Sequence, residues 1–256
     1  MKMQWFVASA LTVGMMHIGD DAFGDLVGPG DIAFVGFNAD GDDDFAFVTL
    51  VEIAANSTVY FRDDEWDGTS FNTGEGIITW DSGVSLIDAG TVITFSDTSS
   101  SGTLSLSHGS ATGSVSLAGD NEALWAYLGS DADTPTAFLS VIANEADAPN
   151  SPDLTNTGLT DGVNAQIIDG DEDVMAYTGL RNNLSSFAAY AAQISNDANW
   201  TTADGTGDQS GGFLPFNATP FETANVPEPI SLAMVGCGIL GMMLGRRRRH
   251  ARSSFS

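Results

Sequence analysis

Cysteine, lysine and histidine are nearly missing from this chain of 256 residues. The single cysteine, Cys237, lies in an apolar run near the C-terminus, so the remainder has no disulfide, no thiolate nucleophile and no cysteine-based zinc site. The single lysine, Lys2, stands at the N-terminus, which excludes Schiff-base chemistry elsewhere in the chain. His108 is the one histidine outside the two terminal segments, and it sits in a Ser/Gly-rich stretch typical of an exposed loop.

Positive charge is equally scarce. The chain has 34 acidic and 8 basic residues, for a net charge of −26. Between residues 25 and 226 the imbalance sharpens to 31 acidic residues against Arg62 and Arg181, a net charge of −29. Such a surface repels DNA, RNA and anionic lipid, so nucleic acid is excluded as a partner. It attracts divalent cations and suits a protein exposed to salt.

What the chain does contain is a three-part C-terminal segment. A linker, residues 223–229, ends in Pro227, Glu228 and Pro229 and leads into the uncharged run 230–245. This run is short for a membrane span, but flanking arginine stems that reach back to the interface make a single transmembrane helix feasible. The basic tail 246–256 is then cytoplasmic, because arginine beside an apolar segment stays on that side. The alternative is a buried core helix followed by an arginine patch that binds nucleic acid.

Within that tail the basic residues next to the apolar run are Arg246, Arg247, Arg248 and Arg249. Together with the Pro-Glu-Pro triplet and the apolar run, they make this segment resemble the PEP-CTERM sorting domain of bacterial exported proteins. The resemblance implies processing by an exosortase-type enzyme, at least transient attachment to the inner membrane, and delivery to the cell surface or extracellular matrix. It also implies association with exopolysaccharide, and it leaves open whether the segment is cleaved or retained.

The N-terminus agrees with export. Lys2 precedes a mostly apolar stretch from Trp5 to Ile18, and small residues at Ala22 and Gly24 fit a signal-peptidase site. Residues 1–24 are therefore predicted to be a signal peptide, and residues 25–222 the exported domain.

That domain is predicted to be mainly β. Short runs rich in β-branched and aromatic residues alternate with Gly/Asp/Ser turns, a pattern typical of an antiparallel β-sandwich. The predicted strands are 31–37, 45–53, 58–61, 76–80, 91–95, 114–117, 123–128, 137–142, 165–168, 174–177 and 213–216. Apolar residues at helical spacing predict one short helix over 184–194, in the C-terminal half, with a loop over 201–212.

The N-terminal half of the domain also resembles lamin-tail-like, Ig-like extracellular modules. The residues that carry this resemblance are Gly30–Phe34, Gly36–Asn38, Asp43–Val48 and Thr73–Gly76. Members of such families mostly bind or act as spacers, so the resemblance implies a non-catalytic role.

An acidic turn supplies candidate calcium ligands. Asn38, Asp40, Asp42 and Asp44 alternate along the chain, so a tight turn would aim their oxygen atoms at one hard cation. The alternative is a solvated hairpin turn in a protein that is acidic throughout, and that interpretation is favoured for the second such stretch, Asp169–Asp173.

Trp66 is the candidate sugar-binding residue. It lies among carboxylates and an arginine in a polar stretch, where an exposed indole would form a platform for a sugar ring. The alternative is a loop tryptophan folded back onto the sandwich. Trp80, Trp125 and Trp200 are predicted to be core.

No catalytic residue is assigned. The chain contains no Gly-x-Ser-x-Gly, Walker, HExxH or CxxC motif. A glycosidase needs only two carboxylates. The glutamates available for such a pair are Glu52, Glu65, Glu75, Glu122 and Glu145. The sequence therefore predicts a non-enzymatic exported surface or matrix protein, with a carbohydrate-binding module and a secreted hydrolase as first and second alternatives.

Overall fold

The structure, a computed structural model, describes residues 25–146 and 151–224. The predicted signal peptide (1–24), transmembrane helix (230–245) and basic tail (246–256) lie outside these residues. Within them, no helix has the length and apolar character needed to cross a bilayer.

Two six-stranded sheets face each other and confirm the mainly β prediction. The strands are β1 (Ile32–Asn38), β2 (Asp44–Thr49), β3 (Thr58–Arg62), β4 (Ile77–Asp81), β5 (Val92–Ser96), β6 (Ser105–Leu106), β7 (Ser110–Ser114), β8 (Ala123–Asp131), β9 (Thr134–Ala143), β10 (Gln166–Ile167), β11 (Val174–Tyr177) and β12 (Trp200–Ala203). The first sheet has the order β12-β11-β1-β2-β5-β6, and the second β10-β9-β8-β3-β4-β7. The pairing of β9 with β10 is parallel; the other strand pairs named in these orders are antiparallel.

An aromatic cluster fills the space between the sheets. Phe61 of β3 contacts the rings of Phe45, Phe47 and Phe95 from the first sheet, at centroid distances of 4.9, 5.4 and 5.3 Å. Phe45 and Phe95 pair across β2 and β5 and stack at 4.4 Å. Each of these rings is fully buried, and the two sheets pack against each other through contacts between phenylalanine rings. Burial of these rings stabilises a domain whose sequence offers no cysteine for a disulfide.

A second apolar cluster lies on the other face of the second sheet. Along β8, Leu124 and Ala126 point into the main core, whereas Trp125 and Tyr127 belong to the second cluster. This alternation follows from the two-residue period of a strand. Two loops, 63–76 and 151–165, supply residues that contact the outer face. A sheet that would otherwise be half-solvated is therefore covered, and the cover creates a cavity.

One glycine permits the close pairing of β4 and β7. Gly113 has a φ of +95°, and a Cβ there would collide with the carbonyl oxygen of Ile77. Glycine is the residue that tolerates both the positive φ and the close approach of the two backbones.

The C-terminal part of the domain differs from prediction. The prediction of a strand over 213–216 is wrong, because these residues form no strand. They follow a 3₁₀ helix, Ser210–Gly212, and include the cis peptide bond Leu214–Pro215. The predicted loop 201–212 begins instead with strand β12, which pairs with β11. Helix α1 (Ala188–Ile194) is shorter than the predicted 184–194.

The last described residues are fastened to the body. Leu184 bridges Thr223 in parallel, and the backbone N–H of Ala224 donates to Leu184 O at 2.7 Å. Glu222 N donates to Arg181 O at 2.7 Å. Thr223 and Ala224, which the sequence analysis assigned to the linker, are therefore paired with the domain at Leu184.

Candidate binding site

The acidic turn between β1 and β2 is organised around an amide. The Nδ2 of Asn38 donates to Asp40 O at 2.9 Å, Asp42 O at 2.8 Å and Asp44 Oδ2 at 3.0 Å. A hydrogen-bond donor thus occupies the centre where the calcium hypothesis places a cation. Asp40 Oδ2 instead accepts from Gln209 N at 2.6 Å, and burial raises the pKa of Asp44. Across residues 25–146 and 151–224, no three or more His, Cys, Asp or Glu side chains are disposed to hold a metal ion.

Trp66 is folded back onto the second sheet. Its side chain is 8% exposed, and its Nε1 donates to Thr155 O at 2.9 Å. Its ring contacts Phe71 and Phe138 edge-on, with centroids 5.1 and 5.0 Å away. Trp66 therefore holds the two covering loops together, and it also lines the cavity beneath them and a second, smaller pocket beside Phe138.

That cavity has a volume of about 520 Å³ and opens between the covering loops and the loop before β8. Six carboxylates line it: Asp63, Glu65, Glu75, Asp120, Glu122 and Asp153. The other lining residues are neutral, and among them are Trp66 and Trp125. We call this the acidic cavity.

Two of its carboxylates are structural. Glu122 accepts from Ala118 N through Oε2 at 3.0 Å and from Ala123 N through Oε1 at 2.9 Å, which fixes the loop before β8. Burial raises the pKa of Glu122 to about 8. Asp63 accepts from the backbone N–H groups of Gly76 and Ser116, and burial raises its pKa as well. Backbone donors thus hold both groups in place, and burial makes both groups resist ionisation.

Glu75 has a different setting. Its side chain is exposed at the cavity, and partial desolvation, followed by repulsion from Glu65, Asp63 and Asp64, raises its pKa to about 7. Negative charge at this place is therefore self-repelling, and a positive ligand would relieve the repulsion.

The nearby arginine does not neutralise the cavity. Arg62 donates to Asp64, Asp133 and the carbonyl oxygens of Ala132 and Asn72, and its guanidinium lies 4.8 Å from the Phe71 ring centroid. The other arginine of residues 25–224, Arg181, packs over Phe221 and donates to Thr219 O. Neither lines the acidic cavity.

Trp125 supplies an unused hydrogen-bond donor. It is fully buried, it lines the cavity, and its Nε1 has no hydrogen-bond partner among the described residues. The other three described tryptophans donate to backbone carbonyls: Trp66 to Thr155, Trp80 to His108 and Trp200 to Ile194. Since buried polar groups in proteins are nearly always paired, the Trp125 indole is a candidate donor to a ligand or a water molecule in the cavity.

Sequence reasoning found part of this site. Three of its five glutamates, Glu65, Glu75 and Glu122, line the cavity, whereas Glu52 and Glu145 do not. It missed the aspartates and the orientation of Trp125. The alternation of side chains along β8 could have shown that Trp125 faces away from Leu124 and Ala126. The loops that cover this outer face are distant from β8 in the sequence, so no local pattern predicts the contact.

Comparison with known protein families identifies one segment. Residues 225–249 match the PEP-CTERM protein-sorting motif, which includes Pro227–Pro229 and the four consecutive arginines. The chain therefore carries the signal of a protein sorted by an exosortase-type system. A search of curated proteins gave no match. A search of solved structures gave none either.

Proposed function

We propose that this protein is a non-enzymatic component of the cell surface or extracellular matrix, delivered by an exosortase-type enzyme and associated with exopolysaccharide. The observation that carries the proposal is the sorting motif at residues 225–249. In this proposal the apolar run 230–245 attaches the protein to the inner membrane, at least transiently, before it reaches the surface.

The domain supports a binding role over a catalytic one. Glu122 and Asp63, two of the most deeply buried carboxylates of the acidic cavity, each accept two backbone hydrogen bonds. A general acid must instead be free to exchange its proton with substrate. These groups shape the cavity and hold its loops.

Localisation of the full-length protein in cells that encode an exosortase tests the delivery. We expect the unaltered protein in the surface or extracellular fraction, and a variant with Pro227→Ala, Glu228→Ala and Pro229→Ala retained in the inner membrane. Arg252→Ala, outside the matched residues, is the control and should be delivered normally. Equal delivery of the triple variant would overturn the proposal.

A carbohydrate-binding module is the second candidate, because the acidic cavity has two tryptophans in its wall. A glycan array probed with the purified protein tests it, and binding lost on Trp66→Ala, with the fold checked by thermal unfolding, is the supporting result. Hydrolysis of a bound glycan that Glu75→Gln abolishes would instead establish the secreted hydrolase, the third candidate.

A further inference from the structure

The acidic cavity combines three features that define the chemistry of a ligand. The first is charge: six carboxyl groups line it, of which Asp63 and Glu122 resist ionisation, and none of the described residues that line it is basic. Such a surface attracts a cation and excludes an anion, since the carboxylates repel one another as well as any negative ligand.

The second feature is size. A volume of about 520 Å³ lies within the range of ~300–1,000 Å³ that is common for sites of small organic ligands. A bare metal ion fits the cavity poorly, because the cavity offers no coordination shell. Among residues 25–146 and 151–224 no cluster of acidic, histidine or cysteine side chains is arranged to hold a metal ion. The carboxyl oxygens of Asp63 and Glu122 already accept hydrogen bonds from backbone N–H groups.

The third feature is the buried indole of Trp125. Its N–H lacks a partner within the described part of the chain, so it can donate a hydrogen bond to an oxygen acceptor of a ligand. The Trp66 ring beside it offers an apolar wall. A simple polyamine supplies the charge but no acceptor. A neutral sugar supplies the acceptor but no charge.

We propose that the acidic cavity binds a saccharide that bears a protonated amine, with the ammonium group between Glu75 and its neighbouring carboxylates and a sugar oxygen accepting from Trp125 Nε1. This inference rests on the proposed function, because it names the ligand class of the matrix-associated domain.

The test is calorimetric titration of the protein purified from the exporting cells in a polyoxyethylene detergent, since sugar-headed detergents would compete. The probes are a fully de-N-acetylated glucosamine tetrasaccharide, its N-acetylated counterpart, spermidine and calcium chloride, each at fixed ionic strength. We expect saturable binding of the de-N-acetylated tetrasaccharide and at least tenfold weaker binding of the N-acetylated form, because acetylation removes the charge.

Three variants distinguish binding in the acidic cavity from attraction by the overall negative charge of the protein. Glu75→Gln should weaken binding by about tenfold, and Trp125→Phe, which keeps an aromatic ring in the wall, by about three- to tenfold. Glu52→Gln removes one carboxylate that does not line the cavity and should leave the affinity unchanged. Thermal unfolding of each variant confirms that it is folded.

Several results would overturn the inference. Equal losses in Glu75→Gln and Glu52→Gln would mean attraction by the overall charge alone. Spermidine or calcium binding as tightly as the tetrasaccharide would remove the saccharide from the ligand class. The localisation experiment uses cells and the titration uses purified protein, so delivery and ligand class can fail separately.

Discussion

Arg62 and Asp64 form a buried ion pair at the end of β3, with Arg62 Nε 2.7 Å from Asp64 Oδ2 and the two side chains 3% and 2% exposed. The guanidinium has a second partner, Asp133, whose side chain is 80% exposed. One arginine therefore joins a buried carboxylate and an exposed one, and the two contacts should differ in their effect on stability.

Removal of Arg62 should be severely destabilising. Arg62→Met leaves Asp64 buried without its cation, and we expect the free energy of unfolding to fall by about 3–5 kcal/mol. Asp133→Asn removes the exposed partner and should lower it by less than about 1 kcal/mol. Urea unfolding of both variants measures the difference, and equal losses would contradict the assignment of Asp64 as the dominant partner.

Stability should decline as pH rises. Burial raises the pKa of Asp43 to about 6 and that of Glu122 to about 8, and partial desolvation raises that of Glu75 to about 7. The native state then holds more protons than the unfolded chain, so the stabilisation is fully present below the ordinary carboxyl values and is lost as pH rises through the native ones. We expect a higher melting temperature at pH 5 than at pH 8.5.

Two variants isolate the contribution of Glu122 to that slope. Glu122→Gln should flatten the melting temperature profile between pH 5 and pH 8.5, while Glu52→Gln, which removes the same charge outside the cavity, should keep it. Parallel profiles for both variants would attribute the decline to overall repulsion and not to the buried carboxyl.

Gly113→Ala tests the close pairing of β4 and β7. The positive φ and the collision with Ile77 O should together lower the free energy of unfolding by about 1–3 kcal/mol. Gly28→Ala is the matched control, because no atom lies within 4 Å of a Cβ placed there. A stable Gly113→Ala variant in chemical denaturation would show that β7 can shift away from β4.

Phe61→Ala tests the aromatic core. Loss of a fully buried ring that contacts four others should lower the free energy of unfolding by about 3–5 kcal/mol. Val84→Ala, at a side chain that is 88% exposed, should change it by less than about 0.5 kcal/mol. Denaturant titration gives both values, and a loss below about 1 kcal/mol for Phe61→Ala would contradict a rigid core.

The local sequence pattern was enough to predict most strands of the sandwich. Strands β1, β3 and β11 agree within one residue with the predicted runs of aromatic and β-branched residues, because burial on a pleated surface favours those residues. The two-residue strand β6 was missed, since it is too short to show a period. Its neighbour β7, predicted at 114–117, lies instead at Ser110–Ser114, where Ser, Thr and Gly carry little strand signal.

The region after residue 199 could not be predicted for a different reason. The Thr-rich stretch of β12 has the composition of a loop and becomes a strand by pairing with β11, a partner more than 20 residues earlier. Phe213–Phe216 has the composition of a strand, yet Phe216 turns toward Gly36 of β1, where a Cβ would lie 2.6 Å from the Phe216 ring. Tertiary contacts decided both cases.

The same limit applies to the candidate site. Trp66 and Glu122 are more than 50 residues apart, and only the folded loops bring them to one cavity. The acidic turn at 38–44 was visible as a pattern, but the direction of the Asn38 amide, which fills its centre, depends on three specific hydrogen bonds.

The hydrogen bond between Ala224 and Leu184 limits the distance between the folded domain and the sorting motif. The matched segment begins at residue 225, immediately after this hydrogen bond. Pro227 is three residues beyond the bond in the sequence, and three residues of fully extended chain span at most about 11 Å, at ~3.6 Å per residue. An enzyme that recognises the motif on the folded protein therefore works close to the surface of the sandwich.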